Sequence, residues 1–208
     1  MKKKIGIVCN VFGQAGGMER YAMDMVSYLL SEGVEPVIFT KKVDKNIKEE
    51  LSVEVHVCNI QLVPKIFEES YFSHWLRKQL AGCELLGVVG CCRNLCSDIL
   101  ICGGTHKGFC RSMKRNGLKD RAVSKFEQHA FETSKAIVAH SQSVKQELVS
   151  CYGIDEKKIK VLYPPVDDKK FHPLSFEERD ALRRKLGLVF CDNSIPTSAV
   201  VRNQPAPT

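Results

Sequence analysis

The stretch IGIVC (Ile5–Cys9), followed by GQAGGMERYAMDMVSYLLSEG (Gly13–Gly33), decides the fold. The first piece is a short unbroken apolar run, as expected of a strand buried on both faces. In the second, Met18, Tyr21, Ala22, Met25, Val26 and Leu29 recur at the three-and-four spacing of an amphipathic helix, and Gly33 supplies its stop. Strand, glycine loop and helix open a βαβ unit. Glycines at such a turn let the backbone approach a ligand closely, and the free N–H groups of a first helical turn attract anions such as phosphate. A plain tight turn satisfies the same residues. The spacing is not G-x-G-x-x-G, so a nicotinamide- or flavin-binding site is not supported.

Working outward, EPVIFT (Glu35–Thr40) reads as a second strand, with Pro36 near its start where a missing N–H is tolerated. VEVHV (Val53–Val57), LLGVVG (Leu85–Gly90), DILICGG (Asp98–Gly104), KAIVAHS (Lys135–Ser141) and KIKVLY (Lys158–Tyr163) continue the series. Between them, IFEESYFSHWLRKQL carries apolar residues at near-helical spacing. Its aromatic stripe suits the core, with part of it open to a membrane face beside Arg77 and Lys78. KFEQHAFETS reads as the end of a helix, and SQSVKQELVSCYG as a helix capped by Ser141 or Ser143 and closed by Gly153. Strands alternating with helices predict an α/β fold: a Rossmann-like, doubly wound parallel sheet. Ligands of such sheets bind outside the carboxyl ends of the strands, and both Gly16-Gly17 and GGTH (Gly103–His106) fall on that edge.

The chain has 208 residues, 26% of them charged and 44% hydrophobic, which is ordinary for a globular protein. A chain of this length buries roughly 70% of its unfolded surface, so stability requires no metal or disulfide. No apolar stretch approaches the ~20 residues of a membrane span, and the basic start MKKK lacks a long enough apolar segment to read as a signal peptide. LSFEERDALRRKLGL, with Ser175 and Glu178 in capping-box spacing, reads as a charged helix stopped by Gly187. The expected organisation is a domain over residues 1–170, a linker helix within 171–188 and a disordered tail over 189–208.

Ten cysteines are many, but Cys9, Cys58 and Cys102 sit in strand-like runs, where cysteine behaves as a small hydrophobe. Without a secretion signal the expectation is a reduced, cytoplasmic compartment. Cys91, Cys92, Cys96, Cys102, His106 and Cys110 contain no C-x-x-C pair, so no metal site is expected from spacing. The net charge of +7 is uneven: KGFCRSMKRNGLKDRAVSK carries Lys107, Arg111, Lys114, Arg115, Lys119, Arg121 and Lys125 against Asp120 alone. A solvated helix face and a phosphate-facing surface (nucleic acid, anionic lipid or a phosphorylated glycan) both suit it. With only Phe109 among these cations, base-stacking nucleic-acid binding is disfavoured.

Several segments, in order, resemble one family. GGMERYAMDMVSYLLSEGVEPVIFT is similar to the amino-terminal signature of the GT-B-fold retaining glycosyltransferases of family GT4. AFETSKAIVAHSQSVKQELVSCYGIDEKKIKVLYPPVDDKKFHP is similar to that family's passage toward its interdomain linker, and DILICGGTHKGF and FEQHAFE look closest to bacterial members that glycosylate the lipopolysaccharide core.

The resemblance spans about Lys3 to Leu188. It implies the amino-terminal, acceptor-binding half of a GT-B fold, acting with a nucleotide sugar such as UDP-glucose, with no further cofactor and no metal. It implies Gly16 and Gly17 near the donor phosphates, and His106 at the reaction centre. It implies Arg20, Thr105 and Lys107 on the acceptor side, although Arg20 suits a surface helix equally well. Arg111, Lys114, Arg115 and Lys119 would then face a glycolipid acceptor or the inner face of the inner membrane. The family's second-domain pair of glutamates seven residues apart has no counterpart here. The expectation is therefore a truncated product, inactive alone or completed by a separate carboxyl-terminal donor domain. A non-catalytic module binding glycan or anionic membrane is the alternative.

Overall fold

The computed structural model describes residues 3–13, 16–44, 47, 53–166, 168 and 171–188. Seven strands form one sheet: β1 (Lys4–Phe12), β2 (Glu35–Val43), β3 (Glu54–Val57), β4 (Val88–Gly90), β5 (Ile99–Cys102), β6 (Ala136–Ala139) and β7 (Ile159–Val161). Their order is β3-β2-β1-β4-β5-β6-β7, and every pairing is parallel. The α-helices whose bounds fall within the described residues are α1 (Gly17–Ser31), α2 (Glu68–Leu80), α3 (His106–Ser112), α4 (Leu118–Thr133), α5 (Gln142–Tyr152) and α6 (Phe176–Lys185). This is the doubly wound α/β architecture that the alternation of patterns predicts.

Alternate residues of β1 show how both faces of the sheet are covered. Ile7 and Cys9 join Ile38 in a cluster with Ala22 and Val26 of α1. Val8 joins Val37 and Phe39 in a second cluster with Phe72 and Leu76 of α2. A third cluster packs Leu100 and Cys102 of β5 and Ile137 and Ala139 of β6 against Ala130, Phe131, Leu148 and Tyr152. Each residue step along a strand turns the side chain to the other face, so apolar residues on both parities read as a continuous run.

The helix stops are glycines in left-handed backbone, Gly33 at φ 71° and Gly153 at φ 66°, where a side chain would be strained. Of the two candidate caps of α5, Ser141 makes the bond, accepting from Val144 N at 3.1 Å. The basic run is not one helix. It divides into α3 and α4 around a turn in which Lys114 takes φ 51°.

The chain separates into two compact units, Met1–Pro164 and Pro165–Thr208. The first holds the whole sheet. In the second, α6 carries the expected capping box: Ser175 Oγ accepts from Glu178 N at 3.2 Å, and Glu178 Oε2 accepts from Ser175 N at 2.9 Å. The tail expected to be disordered, 189–208, lies outside the described residues, as do positions 14 and 15 of the glycine loop.

A candidate acceptor and phosphate edge

The strand order reverses between β1 and β4, because the chain builds outward through β2 and β3 before crossing back. At such a switch point the loops at the carboxyl ends of the strands diverge and leave a crevice. The α1 amino terminus stands beside it. Its cap, Gly16, is extended (φ −147°) and offers no side-chain hydrogen bond to the first turn. The orphan N–H groups there therefore remain available to an anion. Space around Gly17 is open, with no atom within 4 Å of where a Cβ would stand. Glu19 is the local competitor, since its Oε2 lies 2.7 Å from the corresponding Gly16 position. Arg20 points elsewhere: its Nε donates to Asp24 Oδ1 at 2.9 Å in an exposed i,i+4 pair.

Three further segments converge on the same edge. A Cβ at Gly103, just past β5, would stand 3.1 Å from Met18 Sδ and 3.5 Å from His140 Nδ1, so glycine there permits α1, β5 and β6 to meet. The rings of Tyr21 and His140 lie 4.8 Å apart. His140 follows the last residue of β6, and Asn10 lies near the end of β1. Among the described residues, the buried side-chain atoms without a hydrogen-bond partner are Asn10 Oδ1 and His140 Nε2. Buried polar groups are ordinarily paired, so two orphans on one sheet edge call for a ligand or ordered water. Burial also holds the His140 imidazolium below its usual pKa.

Past Gly104 the chain enters α3 through a dense network. Thr105 is buried and caps the helix, its Oγ1 accepting from Gly108 N at 3.0 Å while donating to Glu147 Oε2 at 2.6 Å. Glu127 of α4, 2% exposed, gathers three donors: Arg93 Nε at 2.9 Å, His106 N at 2.7 Å and the Tyr152 hydroxyl. Tyr152 Oη in turn accepts from Lys107 N at 2.9 Å. Burial and the Glu127 carboxylate push the Tyr152 hydroxyl well above its ordinary pKa. Lys107 Nζ donates to Cys151 O at 2.7 Å and Gln128 Oε1 at 3.2 Å, over the Tyr152 ring. Thr105 and Lys107 are thus engaged in joining α3 to α4 and α5. His106 is half-buried; its Nε2 lies 3.2 Å from Asp120 Oδ1. Asp120 also accepts from Gly117 N at 3.2 Å and Arg115 at 3.3 Å; the Gly117 hydrogen bond, followed by Arg115, holds its carboxyl below the usual range.

On α3, α4 and the turn between them, Arg111, Lys114, Arg115 and Lys119 are exposed, with Phe109 (47% exposed), Met113 (59%) and Leu118 (84%) among them. Apolar residues interleaved with cations make this a mixed face rather than a purely solvated one. No helix among the described residues is long and apolar enough to cross a membrane.

The structure therefore brings Gly17, Met18, Tyr21, Gly103 and His140 toward one edge, and places His106 one loop beyond it. Sequence reasoning missed His140, Glu127, Asp120 and Tyr152. Glu127 left a signal, a carboxylate three and four residues ahead of Ala130 and Phe131 on the buried stripe of α4. Asp120, separated by ten residues from Cys110 and fourteen from His106, left none.

Comparison with known proteins gives this geometry a context. A transglycosylase-named protein of Burkholderia thailandensis is 36% identical over 181 residues, which are 86% of this chain and 48% of that protein. The fold is similar to the crystal structure of WaaG, a glycosyltransferase involved in lipopolysaccharide biosynthesis (TM-score 0.72, 14% identity, 88% of this chain and 51% of that one). It is also similar to Anabaena Alr3699/HepE in complex with UDP (TM-score 0.57, 15% identity, 89% and 50%). The chain thus spans about half the length of these relatives. The Glycosyltransferase Family 4 model matches residues 15–170, from the glycine loop through the last strand of the sheet, and by that match the chain belongs to glycosyltransferase family 4.

Proposed function

We propose that this chain is the acceptor-holding half of a retaining glycosyltransferase that moves a sugar from a nucleotide donor, UDP-glucose or a relative, to a lipopolysaccharide-core or similar glycan. One observation carries the reading: an uncapped helix amino terminus at Gly16-Gly17 shares a sheet edge with two unpartnered buried polar atoms, Asn10 Oδ1 and His140 Nε2. The helix end suits a donor phosphate, with its dipole offsetting the leaving diphosphate without a metal. The orphan amide and imidazole suit sugar hydroxyls. His106 stands at the far side of this edge, with Nε2 fixed by Asp120 and Nδ1 left to meet the transferred sugar. Thr105 and Lys107 act as supports for His106, and Arg20 as a brace on α1. The fold shared with Anabaena Alr3699/HepE, which was solved in complex with UDP, is consistent with a uridine nucleotide as donor.

The proposed partner for the mixed face of α3 and α4 is an anionic membrane, which would place the protein at the cytoplasmic side of the inner membrane beside a glycolipid acceptor. Each cation near such a surface contributes about 1 kcal/mol. The rest of the donor site is proposed to come from a second domain. A glycan- or membrane-binding module without chemistry is the second reading, favoured by the same exposed face.

The test is acceptor binding together with donor turnover, measured on this chain with UDP-glucose and a core oligosaccharide. The expected result is binding without turnover, weakened about tenfold (~1.4 kcal/mol) by His106→Ala. A chain that folds but binds no core oligosaccharide would overturn the acceptor assignment. His106-dependent turnover would overturn the division of labour between two halves.

A further inference from the structure

Beyond the glycosyltransferase reading, we propose that His106, Cys110 and Asp120 form a Zn2+ site that ties α3 to α4. His106 and Cys110 are i and i+4 on α3, one turn apart on one face, and both reach Asp120 in the first turn of α4. His106 Nε2 is 3.2 Å from Asp120 Oδ1, and the ligand atoms of His106, Cys110 and Asp120 lie within 4.8 Å of one another. Zinc bonds of ~2.0 Å to nitrogen and oxygen and ~2.3 Å to sulfur set tetrahedral ligand separations of roughly 3.3–3.6 Å. The His106–Asp120 pair already matches. The widest pair closes by about 1 Å, within reach of side-chain rotation. The backbone N–H of Gly117 holds the second carboxylate oxygen at 3.2 Å and supplies the outer support that metal ligands ordinarily have.

The donor set selects the metal. A thiolate, an imidazole and a carboxylate suit a borderline-soft ion such as Zn2+, whereas Mg2+ and Ca2+ require oxygen donors. Three protein ligands leave a fourth position, open through the half-buried His106, for water. Binding is balanced as Cys110 Sγ–H plus M2+ giving Sγ–M+ and one released proton, with His106 entering as neutral imidazole. The two ligand charges neutralise the ion. Arg115 is the opposing group, 3.3 Å from Asp120 Oδ1; its side chain is 54% exposed and free to turn to solvent. Glu127 is not a fourth ligand, since both its oxygens already accept from Arg93, His106 N and Tyr152.

The experiment titrates Co2+, then Zn2+ in competition, into the full chain stripped by chelator and kept reduced. The expected result is one Co2+ per chain with a thiolate-to-cobalt charge-transfer band, displaced by Zn2+. Cys110→Ser should abolish the band, although nine other cysteines remain. Asp120→Asn should weaken binding at least about tenfold, and Arg115→Ala should tighten it. Circular dichroism reports that each variant is folded, and Zn2+ should raise the melting temperature of wild type but not of Cys110→Ser. A charge-transfer band of equal intensity in folded Cys110→Ser, or no metal bound by folded wild type, overturns the proposal.

Discussion

Replacing Glu127 by glutamine preserves the side-chain volume, removes one charge and reverses one polar atom. In the native network both carboxylate oxygens only accept: Oε1 from Arg93 Nε at 2.9 Å, Oε2 from His106 N at 2.7 Å and from the Tyr152 hydroxyl. An amide has one accepting oxygen, so its NH2 must face a donor. The least costly orientation keeps the oxygen toward His106 and Tyr152 and turns the NH2 to Arg93, whose side chain is 40% exposed and can move to water. Two hydrogen bonds then lose charge assistance, at about 0.5–2 kcal/mol each, and the Arg93 bond is lost. Relief of the buried charge offsets part of this. The net destabilisation is about 2 kcal/mol. For a unit of this size that lowers the melting temperature by ~4–8 °C, or the urea midpoint by about 1 M. Glu127→Ala, which leaves all three donors without their acceptor, costs ~3–5 kcal/mol. Thermal and urea denaturation of the chain measure both. A Glu127→Gln change within about 0.5 kcal/mol of wild type would show that this network does not hold α3 in place.

Three more outcomes are expected. Burial lowers the folded pKa of His140, so the unfolded chain binds the proton more readily. Stability therefore falls as pH drops through the ordinary histidine range, and denaturation against pH should show His140→Gln losing that component. Burial pushes the thiols of Cys9 and Cys102 up to about 12, so a thiol reagent at neutral pH should spare both in the native chain and modify them on unfolding. The double reversal Lys114→Glu with Lys119→Glu should reduce co-sedimentation with anionic vesicles by at least about thirtyfold, at ~1 kcal/mol per cation, while leaving the weak binding to neutral vesicles unchanged.

The fold was legible because its signals are local. The run around Ile7, the apolar spacing from Met18 to Leu29 and the stops at Gly33 and Gly153 each lie within a few residues, and periodicity reads them directly. Strand lengths were less legible. Leu85–Gly87 precede β4 although they continue its apolar run, since ladder pairing with β1 begins at Val88. The site was half legible. Gly16, Gly17 and His106 could be placed on the carboxyl edge by topology alone, because every parallel strand presents the same end there. Which side chains meet at that edge depends on tertiary convergence. Thr105 finds Glu147 forty-two positions away, and Lys107 finds Cys151 and Tyr152 forty-four and forty-five away. No spacing rule reaches that far, so residues that read as ligand contacts are occupied in packing; His140, at the carboxyl end of the predicted Lys135–Ser141 strand, carried the same topological mark as His106 and was passed over.

The carboxyl edge of the sheet, with α1 and the Gly103–His106 loop, is the proposed glycan site. Backbone amide shifts of the labelled chain, followed during titration with a lipopolysaccharide-core oligosaccharide, test it most directly. Saturable shifts centred on Gly17, Gly104, His106 and His140 are expected, reduced in His140→Gln. Shifts confined to the opposite, amino-terminal edge around Glu35, Glu54 and Leu85, or none at saturating oligosaccharide, would contradict it.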